Sequence, residues 1–224
     1  MVGALPGGRR TGASCLVLAL LVCAATGLHA QGVVKTARPK PTFVKRPSVI
    51  VLGGYGMPLS HTSLTEFWNG GVSGSLQFLI PVQRYLSFGI GFDGNYFAFD
   101  EAAFQARYGA EVDSIPSSNM GLASLSLISR LIVAPGYRFT PYVVAGLGAS
   151  HVTGAVYKEK VAGVTQRYYD IPRKTRLSAL LAVGVELAFS PSFAIEAEGR
   201  CVYIHNDDDL GLLAHLLAGV RFRL

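Results

Sequence analysis

Glu196, Glu198 and Arg200 occupy every second position of one short stretch, opposite Phe193, Ile195, Ala197 and Cys201. Side chains on a β-strand alternate between its two faces, so this spacing puts two carboxylates and a guanidinium together on one side. The flanking stretches repeat the arrangement. Arg176, Ser178, Leu180, Ala182, Gly184, Glu186 and Ala188 oppose Leu177, Ala179, Leu181, Val183, Val185, Leu187 and Phe189. Leu213, His215, Leu217, Gly219, Arg221 and Arg223 oppose Leu212, Ala214, Leu216, Ala218, Val220, Phe222 and Leu224. Folding the three stretches as neighbouring hairpins brings Glu186 near Glu196 and Glu196 near Arg221, with Arg223 and Arg130 approaching from the same half. Charges gathered on one face must neutralise each other if that face is enclosed, because an unpaired buried charge is very costly. They form either an ion-paired structural plug or a gated polar path, and the plug is the favoured reading.

A second run, His205-Asn206-Asp207-Asp208-Asp209, offers closely spaced oxygen ligands of the kind calcium takes. It lacks the required glycine and distal glutamate of a calcium loop. Asn and Asp are also what a hairpin loop prefers, so the run reads as a solvated loop. No metal site, cofactor site or catalytic group is assigned.

The elements that position these residues are strands. No stretch beyond residue 30 approaches twenty apolar residues, which excludes membrane-spanning helices. Strands are expected near 48–56, 70–81, 85–99, 119–134, 140–156, 175–189, 193–204 and 212–224. Val82-Gln83-Arg84, the turn through Pro135-Gly136-Tyr137-Arg138, and Ser190-Pro191-Ser192 make short connections. They alternate with longer polar ones around 57–69, 100–118, 157–174 and 205–211. Tight turns at one end and long loops at the other are the rhythm of an up-and-down membrane barrel, unlike a sandwich. Val72, Gly74, Leu76, Phe78 and Ile80 oppose Ser73, Ser75, Gln77 and Leu79; Leu86, Phe88, Ile90, Phe92 and Tyr96 oppose Ser87, Gly89, Gly91, Asp93 and Asn95. Charges on only one face favour an apolar outside; a soluble lipocalin-like barrel would invert it. Two aromatic girdles are expected, with Tyr55, Trp68, Tyr96, Phe97, Phe99, Tyr157 and Tyr203 at the loop ends. Phe78, Phe88, Phe139, Phe189, Phe193 and Phe222 would form the other at the turn ends.

Arg9 and Arg10, the apolar run Ser14 to Ala25 and Leu28-His29-Ala30 have the order of a secretory signal peptide over residues 1–30. Residues 31–47 carry Lys35, Arg38, Lys40, Lys45 and Arg46 with no acid, and read as a flexible basic lead-in. That leaves 13 basic against 14 acidic residues in Ser48 to Leu224, so the body is nearly neutral. With no basic patch on a folded face, nucleic-acid binding is not expected. Cys15 and Cys23 fall within the signal, so Cys201 has no partner for a disulfide in the mature chain.

Pro141-Tyr142-Val143-Val144-Ala145-Gly146-Leu147-Gly148 resembles the P-Y-x-x-x-G-x-G strand of small OmpA/OmpX-type outer-membrane barrels. Gly184-Val185-Glu186-Leu187, the Ser190-Pro191-Ser192 turn and Ala194-Ile195-Glu196-Ala197-Glu198 resemble that family's following hairpin. The resemblance covers about residues 48 to 224. It implies an eight-stranded antiparallel transmembrane β-barrel in a bacterial outer membrane, among outer-membrane lipid and lipopolysaccharide. It also implies insertion by the barrel-assembly machinery, which reads a terminal strand such as the one ending Phe222-Arg223-Leu224. The expected role is non-enzymatic and structural, with any extracellular ligand taken by the loops, especially 100–118 and 157–174. A small porin-like channel, a soluble ligand-binding barrel and a lipid A-modifying enzyme are the alternatives. Lipid A deacylases pair an exterior histidine with a nearby serine. His205 invites the comparison, but position 207 is Asp207.

Overall fold

The computed structural model describes residues 46–59, 68–100, 102, 120–133, 135, 137–153, 155–161, 164–171, 173–205 and 210–224. The expected signal peptide, the lead-in up to residue 45, nearly all of the 100–118 loop and Asn206–Asp209 lie outside the described residues.

Among the described residues, ten strands follow in chain order. They are β1 (Ser48–Pro58), β2 (Trp68–Pro81), β3 (Leu86–Phe99), β4 (Met120–Ile132) and β5 (Phe139–Val152), then β6 (Ala155–Val161), β7 (Val164–Ile171), β8 (Lys174–Ala188), β9 (Phe193–His205) and β10 (Leu210–Arg223). Eight of them close into an antiparallel barrel in the order β1-β10-β9-β8-β5-β4-β3-β2. Every barrel strand pairs with its sequence neighbours, apart from the β6–β7 insertion. The last strand returns to the first with Ser48 opposite Arg223 and Pro58 opposite Leu213. Closure leaves the barrel no sheet edge, so each of its eight strands has a partner on both sides. Beyond the seam, the Leu224 amide still donates to the Pro47 carbonyl at 2.9 Å.

The short connections are tight. The Ser190 amide donates to the Phe193 carbonyl at 3.1 Å, which turns β8 into β9. The Val82 amide donates to the Leu86 carbonyl at 2.9 Å, which does the same between β2 and β3. One long connection departs from its expected form. The strand expected to run to residue 156 stops at Val152, and the segment expected as a polar loop contains the two-stranded β6–β7 ribbon, with Tyr157 opposite Tyr169. Polar composition suggested a loop there. The Val, Tyr and Thr residues on both sides of Ala162-Gly163 supply strand propensity regardless of polarity.

The outward faces are apolar. Leu127, Leu147 and Leu177 are 72%, 71% and 72% exposed, whereas the alternate positions on the same strands, such as Ser126, Arg130 and Ser178, are buried inside. Phe78, Phe88, Phe139, Phe189 and Phe222 all stand on the outside near the turn end. At the loop end the expected girdle is only partly there. Tyr55, Tyr96 and Tyr203 face outward, but Trp68, Phe97 and Phe99 are buried within the barrel. Phe97 and Phe99 share the parity of Asp93 and Asn95, and so point inward with them. Trp68 follows them because the β2–β3 register shifts between Trp68 and Gly71, and its ring meets Phe99 edge-to-face at 5.5 Å. The side chain of Tyr157 lies outside what is described.

Candidate functional site: the lumenal ion-pair network

The barrel interior is filled in two layers. Toward the turns and through the middle lies a network of four arginines and four carboxylates. Toward the loops lies an apolar layer of Trp68, Phe97, Phe99, Met120, Leu122, Val152, Ile204 and Leu213, all buried.

Glu186 and Glu196 face each other across the β8–β9 pair. Two like charges so placed would repel, and Arg130 from β4 reconciles them. Its Nη2 donates to Glu186 at 3.0 Å and its Nη1 to Glu196 at 2.9 Å. The guanidinium, wholly buried, lies 3.6 Å from the centre of the Tyr142 ring, in cation–π contact. Arg221 adds a 2.7 Å bond to Glu186, and Arg223 makes a further ion pair with the same carboxylate. Arg221 stands 3.9 Å from Glu196.

A second cluster sits nearer the loops. The Nε and Nη2 groups of Arg200 donate to Glu198 at 2.8 and 2.6 Å, while its Nη1 pairs with Asp93 and reaches Ser75 Oγ at 3.3 Å. In ring order β9 and β3 are opposite walls of the barrel, so the Arg200–Asp93 pair crosses the lumen. The Tyr142 hydroxyl lies between the clusters, 3.1 Å from Glu196 and 3.2 Å from Glu198. Its single proton serves one carboxylate at a time. The network is charge-balanced, arginine for carboxylate, and its hydrogen bonds are mostly charge-assisted, the stronger kind.

All seven charged residues named from the sequence (Arg130, Glu186, Glu196, Glu198, Arg200, Arg221 and Arg223) point into the lumen and join these clusters. Sequence reasoning missed Asp93 and Tyr142 as members. Asp93 is the acid on the inner face of β3, a signal that was available, but its partner lies across the barrel, where strand adjacency says nothing. It also missed a polar shelf. His215 Nδ1 lies 3.0 Å from Ser73 Oγ, and Ser124 Oγ lies 2.7 Å from Ser150 Oγ. The space beside His215, lined by Asn95, Ser124 and Arg200 among others, holds about one water molecule. A Ser–His pair can activate a nucleophile, but a gap of that size admits no acyl or glycosyl substrate. His205 lies exposed at the end of β9, and neighbouring positions 206–209 are outside the described residues. No group of His, Cys, Asp and Glu among the described residues has metal-binding geometry.

Two substitutions probe the network, one at the link between its clusters and one inside the first. Tyr142→Phe removes the hydrogen bond shared between Glu196 and Glu198, and should cost about 1.5–3 kcal/mol by urea titration in detergent. Arg221→Leu should lower thermal stability less than loss of Arg130 would, because Glu186 keeps Arg130 and Arg223. It should not raise single-channel conductance, since Arg130 and the apolar layer still fill the lumen.

An antiparallel up-and-down barrel of eight strands, apolar outside and filled with paired charges inside, is the architecture of small outer-membrane barrel proteins. Solved structures of that class share this fold. The chain is similar to Neisserial surface protein A, with TM-score 0.54 and 18% identity, over 80% of this chain and 97% of that one. It is similar to Ail, the attachment invasion locus protein of Yersinia pestis, with TM-score 0.50 and 16% identity, over 80% of this chain and all (100%) of that one. A major outer membrane protein from Thermus thermophilus matches with TM-score 0.54 and 12% identity, over 81% of this chain and 100% of that one. At these identities the likeness is one of fold. No protein-family model and no curated protein matches the sequence.

Proposed function

We propose that this chain is a non-enzymatic β-barrel of a bacterial outer membrane, exported by its N-terminal signal and set among outer-membrane lipid and lipopolysaccharide. The barrel-assembly machinery inserts it, and its long connections form a surface for interaction outside the cell. The observation that carries this reading is the pairing of an apolar exterior with a lumen closed twice, by ion pairs and by the Trp68–Phe99 layer. Charged groups kept inside and apolar groups kept outside suit a lipid solvent and no aqueous one. A filled lumen suits an anchor and does not suit a pore.

The test joins two measurements on the detergent-solubilised protein. Unheated samples should migrate differently from boiled ones on a gel, and planar bilayers carrying the folded protein should show no stepwise conductance. Recovery in the soluble periplasm would overturn the membrane reading, and steady channel openings would overturn the plug. A mass shift in lipid A on expression, abolished by His205→Ala, would replace the non-enzymatic reading with the enzymatic one.

A further inference from the structure

The turn end of the barrel carries two Arg–Tyr dipeptides in mirror order, Arg84-Tyr85 and Tyr137-Arg138, and both meet the β4–β5 turn. Arg84 Nη2 reaches the Pro135 carbonyl at 3.5 Å, and the Tyr85 carbonyl accepts from the Ile132 amide at 2.7 Å. Arg138 belongs to the turn itself. Its carbonyl accepts from the Ala188 amide at 2.9 Å, and its guanidinium lies 5.6 Å from the centre of the Phe189 ring. The backbones are thus pinned to barrel strands while the side chains stand exposed, Tyr85 by 48% and Tyr137 by 57%. No Asp or Glu occurs in the described residues of this rim outside the lumen, and Arg46 adds a further exposed cation. Just inside the rim begins the apolar exterior, with Phe88, Phe139 and Phe189 exposed.

We propose that Arg84, Tyr85, Tyr137 and Arg138 form a binding site for the phosphate of an anionic phospholipid in the leaflet the turns face. The inference rests on the membrane reading above. Guanidinium groups match phosphate oxygens in bidentate geometry, and tyrosines favour the headgroup level, where a ring meets acyl chains and a hydroxyl meets water. A free phosphate would use the arginines alone. The apolar wall below them favours a phosphate that carries acyl chains.

The experiment reconstitutes the full barrel in vesicles of phosphatidylcholine and phosphatidylglycerol and counts retained lipid by native mass spectrometry. The folded protein should retain phosphatidylglycerol in preference to phosphatidylcholine. Arg84→Gln and Arg138→Gln should each weaken that preference about fivefold, the scale of one arginine at an anionic surface. Arg173→Gln, an exposed cation outside the rim, should leave it unchanged. Heat-modifiable mobility verifies that each variant is folded. An unchanged preference in the Arg84→Gln/Arg138→Gln double variant would overturn the site. Displacement of the lipid by millimolar inorganic phosphate would overturn phospholipid as its occupant. Protein that fails to float with vesicles at all would overturn the membrane reading itself, a result separate from vesicle-bound protein without lipid preference.

Discussion

Replacing Arg130 with Met should destabilise the folded barrel by about 3–5 kcal/mol, the cost of removing one partner from a buried ion pair. Arg130 bridges Glu186 and Glu196, which sit directly opposite each other on β8 and β9. Methionine fills part of the volume but neutralises nothing. Glu186 would keep Arg221 and Arg223, while Glu196 would be left with the Tyr142 hydroxyl and Arg221 at 3.9 Å. The measurement is urea unfolding in detergent or vesicles, followed by the fluorescence of Trp68, the only tryptophan in the sequence. Adding Glu196→Gln to Arg130→Met should recover part of the loss, because it removes the uncompensated charge. The same Glu196→Gln in the wild-type background should destabilise. A loss below about 1 kcal/mol for Arg130→Met, the range of exposed ion pairs, would show that water reaches the network and that the lumen is open.

Much of this architecture is legible in the sequence because each strand has one enclosed face and one exposed face. Period two then reports the inside directly, which is how Glu196, Glu198 and Arg200 can be placed together without a structure. Three short turns alternating with long connections fix neighbouring strands as antiparallel partners. What period two does not carry is the register around the ring or the distance across it. Arg200 and Asp93 are 107 positions apart and on opposite walls, so only the closed barrel brings them together. Tyr142 is visible as part of a motif, yet its position between Glu196 and Glu198 depends on which residues of β5 and β9 stand level. Phe97 and Phe99 show the reverse failing. Their parity with Asn95 already placed them inside, but an expectation of aromatic girdles at strand ends outweighed it. The β6–β7 ribbon was hidden because its strands are polar on both faces and carry no alternation to read.

Closing the ring at the β1–β10 seam makes the other large demand on the sequence, and it falls on glycine. A Cβ at Gly54 would run into the Leu216 carbonyl oxygen, and one at Gly219 into the Val51 carbonyl oxygen. Both obstacles are backbone atoms of the partner strand, which cannot move aside as the end of a flexible side chain can. Gly53, one residue away from Gly54 and facing outward, has nothing within 4 Å of where its Cβ would stand. Gly54→Val and Gly219→Val should therefore force the first and last strands apart, at a cost of about 3 kcal/mol or more, at or beyond the upper end of ordinary overpacking. Gly53→Ala should be neutral or slightly stabilising, since Gly53 sits in ordinary strand backbone within β1 and alanine restricts the unfolded chain without a clash. The check is the fraction of each variant that refolds to the heat-modifiable form. The two valine variants should be depleted in it and Gly53→Ala should match the wild type. Equal folding of all three would mean that the seam does not need the close approach of β1 and β10, and that the barrel can close with those strands further apart.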